Sequence, residues 1–160
     1  MRSELVEVFA HLRREHPESA DPIAAMREMV EGYGMGCAGA GIAACRVVPV
    51  KIGAIAAEWL VPPNAKDKRL VYLHGGGWVA GSISSHRTMA AELAYLSGHA
   101  VLVPDYRLAP EHPFPTGLTD AAEVLAYAAV TGPDGPEPAG SLSLAGDSAG
   151  ANLAAVIALG

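Results

Sequence analysis

Ser141-Leu142-Ser143-Leu144-Ala145-Gly146-Asp147-Ser148-Ala149-Gly150-Ala151-Asn152-Leu153 is the stretch that decides how the chain is read. A short apolar run, Leu142 to Ala145, ends at Gly146, and an Ala/Leu/Val/Ile-rich segment begins straight after Ser148. The pattern predicts a strand, a very tight turn and a helix, with a serine at the apex. Gly146 and Gly150 flank that serine with the Gly-x-Ser-x-Gly spacing of a nucleophile elbow. Such a serine sits in strained φ/ψ space between a strand and a helix that nearly touch, so only a hydrogen fits on either side. In a chain with 18 glycines the pentapeptide also arises by composition, as a Gly/Ser turn before an amphipathic helix, and its surroundings must decide.

Working outward, the second half alternates strand and helix three times: 69–73 then 85–97, 100–103 then 118–130, and 141–145 then 149–159. This alternation predicts an α/β fold with a mostly parallel sheet and flanking helices. Ser84 or Ser85 is the expected cap of the first of these helices. Upstream, 46–52 and 54–61 read as two strands of an antiparallel hairpin joined at Gly53. Before them, Leu5, Val8, Phe9 and Leu12 mark an amphipathic helix over Ser3 to Arg14, and Asp21-Pro22 opens a second helix running to about Glu31.

Gly32 to Gly41 reads as a flexible glycine-rich hinge. It contains Gly34-Met35-Gly36-Cys37-Ala38-Gly39, a match to the dinucleotide fingerprint. That fingerprint works only with a strand before it and a helix after it, whereas here a helix precedes and β-prone residues follow. No cofactor is expected. The organisation is then 1–45, an N-terminal helical segment and linker, followed by 46–160, the α/β portion.

With 160 residues, 51% of them hydrophobic and 18% charged, the chain suits one domain whose strands are buried on both faces. Its net charge of −6, with no Lys/Arg run, gives no reason to expect nucleic acid or an anionic membrane as partner. Met1 to His16 is charged throughout, unlike a signal peptide, and a cytoplasmic location is the expectation. Cys37 and Cys45 have no Cys/His companions at ligand spacing, so two reduced thiols and no metal are expected.

The second informative stretch is His74-Gly75-Gly76-Gly77-Trp78, where a parallel strand ends. Ligand-handling groups in such sheets gather at the carboxyl ends of strands, so this triplet should face Ser148. Three glycines leave backbone N–H groups unobstructed and free to take positive φ, letting two of them aim at one oxygen. Acyl transfer needs such donors, because the tetrahedral intermediate carries a negative charge on the former carbonyl oxygen. The N–H of Ala149, at the N-terminus of the helix after the serine, would be a third donor.

His74-Gly75-Gly76-Gly77-Trp78, Asp105-Tyr106-Arg107-Leu108-Ala109-Pro110-Glu111-His112-Pro113-Phe114-Pro115 and Gly146-Asp147-Ser148-Ala149-Gly150 together resemble the three signatures of the hormone-sensitive-lipase family of α/β-hydrolases, which includes bacterial carboxylesterases. The resemblance covers roughly 46–160, and the N-terminal helices are similar to that family's cap region. It implies hydrolysis of a small-molecule ester through Ser, Asp and His. By position, Ser148 would be the nucleophile and the N–H groups of Gly76, Gly77 and Ala149 the oxyanion hole. In the middle motif the prolines fix the loop, while Asp105, Arg107 and Glu111 are expected to satisfy one another and the loop backbone. Asp147 is expected to anchor the turn.

A serine hydroxyl needs a general base, and the base needs a carboxylate, in the chain order Ser, Asp or Glu, His. No acid and no histidine follows Ser148. The expectation is that this half of the domain is lost, truncated or carried by another polypeptide. The strand at 141–145 then becomes an unpaired apolar edge, and the chain alone should aggregate, self-pair or need a complementing partner. Two alternatives stand beside the esterase: a non-catalytic hydrolase-like protein that holds a small ligand, and an inactive remnant.

Overall fold

The computed structural model describes residues 21–35, 39–65 and 67–160. The helix expected over Ser3 to Arg14 lies outside them, as do Cys37 and the histidines at 11 and 16. Helix α1 spans Pro22–Glu31; Asp21 caps it, its carboxylate accepting from the amides of Ile23 and Ala24, with proline in the first turn.

The described residues of the linker after α1 are packed, not free. A 3₁₀ turn, Gly32–Met35, leads to a short helix α2, Ala40–Ala44, and both lie against α3, Ile83–Ser97. A Cβ on Gly34 would sit 2.5 Å from the Ser84 carbonyl oxygen, and one on Gly41 would sit 2.5 Å from that of Ala91. These two glycines permit close backbone packing, a role that the composition of the linker conceals.

Strands β1 (Arg46–Ile52) and β2 (Ile55–Val61) form the expected hairpin, with Gly53 at φ +57 in its two-residue turn. β3 (Lys68–Leu73), α3, β4 (Ala100–Pro104), α4 (Thr116–Val130), β7 (Ser141–Gly146) and α5 (Ser148–Leu159) supply the alternating half. A small hairpin, β5 (Thr131–Gly132) with β6 (Gly135–Pro136), precedes β7. Helix α3 begins earlier than Ser84 or Ser85 would start it. Ser82 is the cap, accepting from the Ser85 amide while the Ser85 hydroxyl accepts from the Ser82 amide.

The five-stranded sheet has the order β1-β2-β4-β3-β7. The hairpin joins β4 antiparallel, and β4, β3 and β7 run parallel. Period-two alternation sends Val71, Leu73 and Leu102 to one face, against Ala121, Val124 and Ala128 of α4 and Leu153 of α5. Leu70, Tyr72, Val101 and Val103 go to the other face, against Ala90, Ala91 and Ala94 of α3. The result is a three-layer α/β arrangement with β3 and β4 covered on both sides. Cys45, just before β1, is a free buried thiol.

Candidate active site

Leu73, the last residue of β3, pairs with Gly146, the last residue of β7, so the two loops that follow leave the sheet side by side. Ser148 is the first residue of α5 at φ +47, and it is solvent-exposed. That positive φ in a residue with a side chain is the strain expected of an elbow. The flanking glycines are required by packing. A Cβ on Gly150 would lie 1.9 Å from the Leu73 carbonyl oxygen, and one on Gly146 would lie 2.5 Å from the same atom. Helix α5 therefore starts in contact with the end of β3.

In the loop after β3, Gly76 takes φ +121, Gly77 φ +61 and Trp78 φ +62. The Gly76 carbonyl accepts from the amides of Val79 and Ala80 at 3.2 and 2.9 Å, closing a turn. The Gly75 N–H is occupied, donating to Asp147 Oδ1 at 2.9 Å. The N–H groups of Gly76 and Gly77 have no acceptor among the described residues, and neither has that of Ala149, within the first turn of α5. These three donors are the ones the sequence singled out.

Asp147 ties elbow to loop. Besides the Gly75 amide, Oδ1 accepts from the Tyr72 hydroxyl at 2.7 Å and lies 3.6 Å from His86 Nε2. The Tyr72 phenol is pushed well up by burial and by the Asp147 carboxylate, so it stays a donor. Beneath the loop His74 is fully buried and stacked on Tyr106 at 4.3 Å, and the Tyr106 hydroxyl donates to the His74 carbonyl at 2.6 Å. Burial pulls the His74 imidazole down to about 4, leaving it neutral at pH 7, with Nδ1 2.9 Å from the Gly75 carbonyl and Nε2 without a partner among the described residues. His86, also buried, has Nδ1 2.8 Å from the Ser85 hydroxyl.

The charges of the middle motif do not satisfy one another. Asp105 accepts from the Ile83 amide at the start of α3, and Arg107 forms a two-pronged pair with fully buried Asp120 of α4. Glu111 pairs with Arg27 of α1. Each carboxylate meets the element it has to position, because a loop crossing three elements gains more from anchoring them than from internal pairing. Burial opposes ionisation of Asp120, and the Arg107 side chain and amide outweigh it, so its carboxyl titrates below the ordinary range. Sequence reasoning missed Arg27, Tyr72 and Asp120; nothing in spacing or residue type marks them, since each acts through partners far along the chain.

A cavity of about 510 Å³ opens between α4, α5 and the glycine loop, walled by Gly77, Trp78, Tyr106, Leu118, Leu153 and Val156 among others. It reaches the loop through Gly77, and Ser148 is not among its walls. An apolar space beside the donors suits the hydrocarbon part of a ligand. Among the described residues no three His, Cys, Asp or Glu side chains could hold a metal together, and no helix is long and apolar enough to cross a membrane.

Residues 70–160 match the model of a family described as having the alpha/beta hydrolase fold. An acetyl-hydrolase of Streptomyces hygroscopicus is 44% identical over 105 residues, 66% of this chain and 34% of that protein. The solved structure of EstE5 soaked with p-nitrophenyl butyrate superposes with a TM-score of 0.76 at 36% identity, covering 98% of this chain and 51% of that one. An esterase of the bacterial hormone-sensitive lipase family gives a TM-score of 0.73 at 32% identity, over 95% of this chain and 50% of that one. The chain spans about half the length of these solved relatives and about a third of the curated one.

Proposed function

The chain belongs to the hormone-sensitive-lipase family of α/β-hydrolases, and from that premise we propose that it is the nucleophile-bearing portion of a cytoplasmic serine carboxylesterase. The named relatives are esterases and acetyl-hydrolases, which supports ester hydrolysis at the level of the family. The observation that carries the finer reading is the exposed, strained Ser148 beside three backbone donors without acceptors among the described residues.

Ser148 Oγ attacks the carbonyl carbon of a small-molecule ester, its proton passing to a general base, and the carbonyl oxygen becomes an oxyanion. The N–H groups of Gly76, Gly77 and Ala149 receive that oxygen, with the positive end of the α5 dipole behind Ala149. Collapse releases the alcohol and leaves an acyl group on Ser148, which water then removes. Loss of one such donor typically raises the barrier by about 3 kcal/mol.

The base and its carboxylate are assigned to polypeptide other than these 160 residues. His74 is buried, neutral and engaged with the Gly75 carbonyl, and His86 is turned to Ser85 and Asp147. Joined to a segment carrying an Asp and a His, the protein should hydrolyse short-chain p-nitrophenyl esters. A fluorophosphonate probe should label this completed protein and leave its Ser148→Ala variant unlabelled; equal labelling of both would remove Ser148 from the mechanism.

A further inference from the structure

Helix α1 reaches the glycine loop and the start of α3 with three side chains. The Met26 methyl lies 3.1 Å from where a Cβ on Gly77 would be, Glu31 accepts from the Ser82 hydroxyl at 3.0 Å, and Arg27 lies between them. Arg27 uses its whole fork: Nε donates to the Val79 carbonyl at 2.8 Å, Nη2 to the Ala109 carbonyl at 3.2 Å, and Nη1 and Nη2 to Glu111 at 2.9 and 2.7 Å. The Ala109 amide in turn donates to the Trp78 carbonyl at 2.9 Å. One guanidinium thus binds the glycine loop and the proline loop at the point where the two loops also bind each other.

This matters because the loop is strained where its donors are. Trp78, an L-residue with a large side chain, sits at φ +62 between Gly77 and Val79. Such a conformation persists only when its surroundings over-determine it. Inside the loop the Gly76 carbonyl fixes one side of the turn through the amides of Val79 and Ala80; outside it the Val79 carbonyl is held by Arg27. We infer that Arg27 is a positioning residue for the oxyanion hole, fixing the directions of the Gly76 and Gly77 N–H groups by clamping the Val79 carbonyl to the proline loop. Lysine cannot substitute, because three acceptors on two loops need a planar fork with several fixed donors. Glu111 supports the clamp: its hydrogen bonds from Arg27 hold its carboxyl down to about 2, so it stays charged across the working range. The inference rests on the esterase reading of Ser148.

The test compares wild type, Arg27→Met, Arg27→Lys, Arg27→Ala and Ser148→Ala, each joined to the segment that carries the Asp and the His, in two measurements. The first is the rate of labelling by a fluorophosphonate, in which an Oγ–P bond forms at Ser148, the P–F bond breaks and the serine proton is released. The second is amide hydrogen exchange. In Arg27→Met the maximal labelling rate should fall about tenfold to a hundredfold while the half-saturating probe concentration holds, as expected when donors misalign by a fraction of an ångström. Exchange at Val79 and Ala80 should speed by about tenfold, with β3 and β4 unchanged as the check on folding. Arg27→Lys should recover neither quantity, and methylguanidinium should restore labelling of Arg27→Ala, since Arg27 is partly exposed.

Unchanged exchange at Val79 and Ala80 would overturn the inference. So would faster exchange with an unaltered labelling rate. Absence of labelling in the wild-type protein joined to its Asp- and His-bearing segment would overturn the esterase reading and with it the oxyanion role of Arg27, while exchange would still report whether Arg27 holds the turn.

Discussion

The carboxyl end of β3 and the outer edge of β7 are one strand apart, and their side chains are distributed in opposite ways. Around the ends of β3 and β4 most polar groups are matched: Tyr72 and the Gly75 amide to Asp147, Tyr106 to the His74 carbonyl, Arg107 to buried Asp120. At β7 apolar groups meet water. From Ser141 to Gly146 there is no charge and no proline, and α5 beside it exposes Val156 at 46% and Leu159 at 89%. The opposite edge of the sheet sharpens the contrast, since β1 carries Arg46, Pro49 and Lys51, residues that discourage a further strand. β1 is thus built as a terminus, and β7 has none of those features.

The largest effect should come from breaking the matched region. Asp120→Ala removes the acceptor of the Arg107 side chain and amide from a fully buried position, and should cost about 3 kcal/mol, read as a lower urea midpoint at unchanged slope. Next is the pH response of His74. Its folded-state value of about 4 lies below the ordinary 6.5, so the unfolded chain binds a proton that the folded one does not. Stability from this group is complete above pH 6.5 and declines as pH falls from 6.5 towards 4, by roughly 2–3 kcal/mol in all. Urea midpoints at pH 7 and pH 5 should therefore differ more in wild type than in His74→Asn; parallel behaviour would mean that the histidine is not buried neutral.

Tyr106→Phe deletes only the hydroxyl on the His74 carbonyl, and an expected loss of about 1–2 kcal/mol can be followed by thermal melting. The smallest change in stability, within about 0.5 kcal/mol, is expected from Ser143→Lys on exposed β7. Its effect should appear elsewhere. Wild type is expected to self-associate through the β7–α5 face in sedimentation, and a lysine on that edge should shift it towards monomer. A monodisperse wild-type monomer would erase the contrast between the two regions.

Much of the fold was legible because it is written in local pattern. Asp21-Pro22 starts α1, Gly53 turns the hairpin, and the apolar runs at 70–73 and 100–103 are strands buried on both faces. Reading failed where a residue is chosen for a distant neighbour. Gly34 and Gly41 look like linker glycines but are spaced for the backbone of α3, and Ser82 caps that helix because its hydroxyl and that of Ser85 meet reciprocally. The candidate site divides in the same way. Ser148, Gly76, Gly77 and Ala149 announce themselves by a strained turn and glycine spacing, whereas Arg27, Tyr72 and Asp120 are ordinary residues until the chain folds.

By itself the sequence determined the main strands and helices from β1 to α5, and which two strand ends bear a serine and a run of bare amides, since both follow from periodicity and from the conformations open to glycine. Only the tertiary structure decided that Leu73 stands opposite Gly146, that Asp147 takes up the Gly75 amide while the next two have no acceptor among the described residues, and that Arg27 joins the Val79 carbonyl to Glu111. Those facts depend on register and on hydrogen-bond geometry between residues tens of positions apart, which no local pattern encodes.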